Sequence, residues 1–82
     1  MSLKSQIAGF KVIAKSMGIR ILESKGTFTT NYCKIDNEMV IVINKNRGIR
    51  ARLAGLARIF ATLDLSKVGI DKDIAQIIDR YR

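Results

Sequence analysis

Residues 39–43 read Met-Val-Ile-Val-Ile with no polar interruption. A strand with one face in water alternates apolar and polar side chains, so an unbroken apolar run implies a strand covered on both faces. That is a hard demand on a short chain. At 82 residues the sequence makes one domain, residues 1–82, and a chain of this size buries only about 60–65% of the surface its unfolded form exposes. Hydrophobic residues are 48% and charged residues 27%, which is globular and not disordered composition. There is no proline, no low-complexity segment and no internal repeat.

The rest of the chain supplies elements to cover that strand. Leu3, Ile7, Phe10, Ala14 and Met17 recur at steps of four and three, one stripe of a helix that Gly18 stops. Ile19 and Ile21 begin a short strand, and Ser24-Lys25-Gly26 is a turn signal. Thr27 to Ile35 favours strand, with Phe28, Tyr32, Ile35 and three threonines. Asp36-Asn37 suits a two-residue hairpin, since both residues tolerate positive φ. Asn44 to Gly48 is a polar loop. Ile49, Leu53, Leu56, Phe60 and Leu63 mark a second helix whose other faces carry Ala51, Ala54, Gly55, Ala57 and Ala61, small residues that admit a close neighbour. Asp64 to Gly69 is a connector, and Asp71 caps a final helix with Ile74, Ile77 and Ile78 on its apolar face. The expected fold is α+β, in the order α-β-β-β-α-α, a three-stranded antiparallel sheet with helices packed on it. A simple meander puts the 39–43 strand on a sheet edge, where it invites pairing with another chain. Self-association as a homodimer is therefore expected.

Composition excludes several chemistries. Without histidine there is no His-based general base, no Ser-His-Asp triad and no H-E-x-x-H zinc site. One cysteine, Cys33, excludes a cysteine-rich zinc site and an intramolecular disulfide. A lone thiol fits a reducing compartment, so the expected location is cytoplasmic. The acidic residues fall at caps, turns and strand ends, with no catalytic constellation. The expectation is a non-enzymatic protein with no cofactor, no metal and no small-molecule substrate. No apolar run of 18 residues is present, and the lysines at positions 4, 11 and 15 interrupt the apolar character of the N-terminal segment, so neither a membrane partner nor a secretory signal is expected.

The middle of the chain carries a resemblance. Tyr32-Cys33-Lys34, a hairpin, Val40-Ile41-Val42-Ile43-Asn44, a polar loop and the helix through Arg52-Leu53-Ala54-Gly55-Leu56-Ala57 together resemble the ImmA/IrrE-type zinc peptidases. In that family a strand ending in I-x-I-N leads to a helix bearing L-A-H-E-x-x-H. With Leu56-Ala57 on that L-A, Arg58 and Thr62 stand where the zinc histidines belong, and Ile59 stands where the catalytic glutamate belongs. The resemblance covers residues 30–63 at most and matches structural residues only. It implies a peptidase-like scaffold without zinc and without catalysis.

The charge pattern points to a function. Lys+Arg total 15 against 7 Asp+Glu, a net charge of +8. Residues 45–58 hold Lys45, Arg47, Arg50, Arg52 and Arg58 with no acid, across a loop and a helix N-terminus, where backbone N–H groups and arginine forks suit phosphate. Asn44 and Asn46 add polar groups within reach of phosphate or bases. Residues 1–22 hold Lys4, Lys11, Lys15 and Arg20, also without an acid. The expected contact set for a DNA or RNA backbone is Lys45, Arg47, Arg50 and Arg58, supported by Lys4, Lys11 and Lys15. Arg52 is left out because it points about 200° away from Arg50 on the helix. The alternative is a protein-interaction or structural module whose charge serves solubility only.

Overall fold

A computed structural model describes residues 2–82. Its elements are α1 (Leu3–Ser16), β1 (Arg20–Ser24), β2 (Asn31–Ile35), β3 (Glu38–Asn44), α2 (Ile49–Ala61) and α3 (Lys72–Asp79). The order is α-β-β-β-α-α, as the periodicities indicate.

Local chemistry places the element ends. Ser2 caps α1, its hydroxyl accepting from the Ser5 N–H, and Asp71 caps α3 by accepting from Asp73. Gly18, at φ +73°, takes the left-handed turn just past α1. Asp36 and Asn37 both have positive φ (51° and 67°), the backbone of a two-residue hairpin whose twist matches its strands.

The sheet is mixed, with strand order β1-β3-β2, and not purely antiparallel. β2 and β3 pair antiparallel through the Asp36-Asn37 turn, while β1 pairs parallel with β3 from Arg20↔Val40 to Ser24↔Asn44. Burial explains the mixed sheet. The most apolar strand, β3, takes the centre, and β2, exposed at all five positions, takes an edge. Once β3 is central, residues 25–30 must carry the chain from β1 across the end of β3 to β2, a gap of two strand spacings, about 10 Å. Because β1 and β2 then run in opposite directions, β1 runs parallel to β3. The second strand is also shorter than expected: Thr27 to Thr30, with Phe28, belong to the crossing segment.

Asn44 holds that crossing. Its side chain is completely buried, and its amide donates to the carbonyls of Gly26 and Phe28 while its Oδ1 accepts from the Asn46 N–H. The Lys45 N–H adds a bond of 2.8 Å to the Ser24 carbonyl.

The core lies between one sheet face and the helices. Ile41 and Ile43 meet Ile7, Phe10 and Ile13 of α1, Leu53, Leu56 and Phe60 of α2, and Ile74, Ile77 and Ile78 of α3. At its centre the Phe10 and Phe60 rings pack tilted with centroids 5.1 Å apart. Two glycines permit close approach. A Cβ on Gly55 would lie 2.6 Å from Thr30 Cβ, and one on Gly9 would lie 3.0 Å from Ile74 Cδ1. The helix propensity that glycine loses at position 55, about 1 kcal/mol, is offset by seating α2 against the crossing segment.

Candidate nucleic-acid interface

α2 buries Leu53, Leu56, Ala57, Ile59 and Phe60, and the remaining arc of the helix divides the basic residues into two groups. The 45–48 loop feeds this helix in a fixed geometry, because the Arg47 N–H donates to the Asn44 carbonyl at 3.2 Å. Gly48 is the N-cap and offers no side-chain acceptor, and the first turn holds no acid. The positive end of the helix dipole therefore meets no protein carboxylate from its own first turn.

On one side, Arg47 and Arg58 border a groove of about 380 Å³. Its helical wall is made of Ala51, Ala54 and Gly55, and Thr29 and Thr30 form the opposite wall. Small residues there leave room for a ligand close to the helix. Ala54 also lines a second hollow of about 250 Å³, bordered by Arg50, Arg80 and Tyr81. Arg58 lies over the Tyr81 ring, its Cζ 5.4 Å from the centroid, so the chain just past α3 helps fix its direction. No acid lines either hollow. Among the described residues, Arg47, Arg50, Arg58 and Arg80 form no ion pair.

The other side differs in kind. Lys4, Lys11 and Arg52 line a hollow of about 330 Å³ together with Glu23. Lys11 Nζ donates to Glu23 Oε1, an ion pair that ties α1 to β1. This hydrogen bond, with the positive charges of Lys11, Lys45 and Arg52, holds the Glu23 carboxyl below its ordinary value against a smaller opposing effect of burial. Lys45 thus serves the Glu23 side. Lys15 lies further along α1, near Arg20 of β1.

The seven residues expected to act together are therefore not brought to one surface. Arg47, Arg50 and Arg58 share a face. Lys4, Lys11 and Lys45 gather around Glu23 with Arg52, on the far side of α2. Arg80 and Tyr81 complete the first face and were not legible as site residues, since nothing local in the sequence tells which part of α2 the end of α3 packs against. Asn44, expected within reach of a ligand, is spent on the crossing segment, and Asn46 Nδ2 lies 3.4 Å from the Gly26 carbonyl.

The positions aligned with the peptidase motif have other uses. Arg58 faces the groove, Ile59 is buried, and the Thr62 hydroxyl donates to the Ile59 carbonyl at 2.7 Å. Among the described residues no three of Cys, Asp and Glu gather closely enough to share a metal ion, and no helix is long and apolar enough to cross a membrane. Comparison with protein-family models, with curated proteins and with solved structures finds no match.

Proposed function

We propose that this protein is a small non-enzymatic module that binds the phosphate backbone of a nucleic acid through the face of α2 bearing Arg47, Arg50 and Arg58, completed by Arg80. One observation supports it above the rest: four arginines, none in an ion pair among the described residues, border two adjoining hollows that contain no acid. Guanidinium groups held this way seek anionic oxygen, and phosphate matches their fork in a bidentate manner. Tyr81, partly exposed beside Arg58 and Arg80, offers a ring for an unpaired base to stack on, so single strands are favoured over duplexes. The setting that fits this reading is the cytoplasm, where Cys33 stays a thiol. The lysines around Glu23 contribute a diffuse positive field and no direct contact.

The test is a fluorescence-anisotropy titration with single-stranded DNA and RNA oligonucleotides over a range of salt. Four phosphate contacts predict a slope of log K on log[salt] of about −3. Replacing Arg47 and Arg58 by alanine flattens that slope by about 1–2 and weakens all sequences alike. No affinity at tens of micromolar in low salt, or a double variant that binds as the unsubstituted protein does, contradicts the proposal.

A further inference from the structure

The helices cover one face of the sheet and leave the other open. Side chains alternate along β3, so Ile41 and Ile43 enter the core while Val40 and Val42 point the other way. The register puts Leu22 beside Val42, and Arg20 and Cys33 beside Val40. An open sheet face is ordinarily polar. This one carries Leu22 and Ile35, 42% and 52% exposed, with the exposed Cys33 between Val40 and the solvent-facing edge. Val40 is already buried within the chain, 1% exposed, and Val42 is half-buried, so what stays open on this face is Leu22, Ile35, Cys33 and part of Val42.

We propose that a second copy of this chain covers these residues, packed sheet against sheet in a two-fold dimer. Charge argues for this occupant. In a chain of net charge +8, the charged residues that the register assigns to this face are Arg20 and Glu38, one of each sign. It is a neutral area on which two strongly basic molecules can meet, and it offers nothing to a polyanion. Shape argues the same way. Phe28, Asn31, Cys33 and Val42 line a shallow hollow of about 490 Å³ on the β2 side, while Leu22 projects on the β1 side. Leu22, Val42 and Asn31 stand at one level of the register. A two-fold axis along β3 preserves that level and sets β1 of each copy over β2 of the other. Each Leu22 then faces the other copy's hollow, the reciprocal contact that an isologous interface requires. Three strands of about five residues give a face of roughly 14 by 17 Å, smaller than a standard interface, so the dimer is weak and reversible.

Two measurements decide it, and neither depends on the nucleic-acid reading. Sedimentation equilibrium is run from about 1 μM to about 1 mM, alongside the rate of Cys33 alkylation by iodoacetamide over the same range. The proposal predicts a monomer–dimer equilibrium, and Cys33 alkylation at least about fivefold slower at the high end with the same midpoint, because the thiol is covered in the dimer. Salt strengthens this association by screening the net charge, the opposite of its effect on phosphate binding. The double variant Leu22→Asp, Ile35→Asp changes exposed side chains only. It is expected to keep its circular dichroism, stay monomeric and alkylate at one rate throughout. A 9.2 kDa monomer at every concentration overturns the proposal. So does a dimer whose Cys33 alkylation is independent of concentration, or one that survives the double substitution, since either means association through another surface.

Discussion

Asn44 shows how a single residue can be misread from its neighbours. In the sequence it opens a polar loop next to a basic cluster, which suggests a ligand contact. In the fold it is completely buried, and its amide satisfies two carbonyls of the segment crossing β3. No local pattern reports this, because Gly26 and Phe28 lie 18 and 16 residues away. Replacing Asn44 by alanine leaves the Phe28 carbonyl without its donor and the Gly26 carbonyl with Asn46 Nδ2 alone, at 3.4 Å, and a buried group left unsatisfied costs about 1–3 kcal/mol. The melting temperature is expected to fall by at least about 4 °C, since 1 kcal/mol is worth about 4–8 °C in a domain of this size. A thermal melt followed by circular dichroism checks this, and a fall of less than about 3 °C refutes the role given to Asn44. Gly55 is the opposite case. A glycine inside an otherwise favourable helix announces a close contact from sequence alone, and the contact with Thr30 is there. What the sequence leaves open is the identity of the neighbour.

At the scale of elements, the helices and the hairpin were legible because their signals are local. Ser2 and Asp71 cap, Gly18 terminates, Asp36-Asn37 turns, and the apolar stripes recur at helical spacing. Strand order was not legible in the same way, since pairing is decided by which arrangement buries β3. The same run that forbids an edge position for β3 contained the answer, but only if weighed above the simplicity of a meander. The parallel β1–β3 pairing brings Glu23 to the α1 side of the sheet, where Lys11 meets it. Because the folded protein holds this carboxyl below its ordinary 4.5, the bond contributes stability above that pH and loses it as the pH falls through the lowered value. Urea denaturation at pH 7 and pH 3 is expected to show a smaller acid-induced loss for Glu23→Gln than for the unsubstituted chain. The pair is partly exposed, so at pH 7 the variant itself costs only about 0.2–1 kcal/mol. Identical acid-induced losses in the two proteins contradict this account of the α1–β1 tie.

For the whole molecule, net charge was legible and its distribution was not. The +8 charge and the acid-free 45–58 segment are the grounds for expecting an anionic partner, and helix geometry separates Arg52 from Arg50, which line different hollows. The division into an arginine face without acids and a lysine-rich hollow built around Glu23 emerges only when α1, β1 and α3 are folded against α2. Resemblance to a peptidase scaffold rests on the hairpin and the helix alone, and the residues at its functional positions serve packing and the arginine face. On the proposed reading, one side of α2, and not the total charge, carries nucleic-acid binding. Two double variants of equal charge test it most directly: Arg47→Glu with Arg58→Glu, and Lys4→Glu with Arg52→Glu. Both lower the net charge by the same amount, so any effect of overall charge is shared. Measured by anisotropy with one single-stranded oligonucleotide at one salt concentration, the first is expected to lose at least about 30-fold in affinity relative to the second, some 2 kcal/mol. Equal losses in the two variants, or a larger loss in the Lys4 and Arg52 variant, contradict the account.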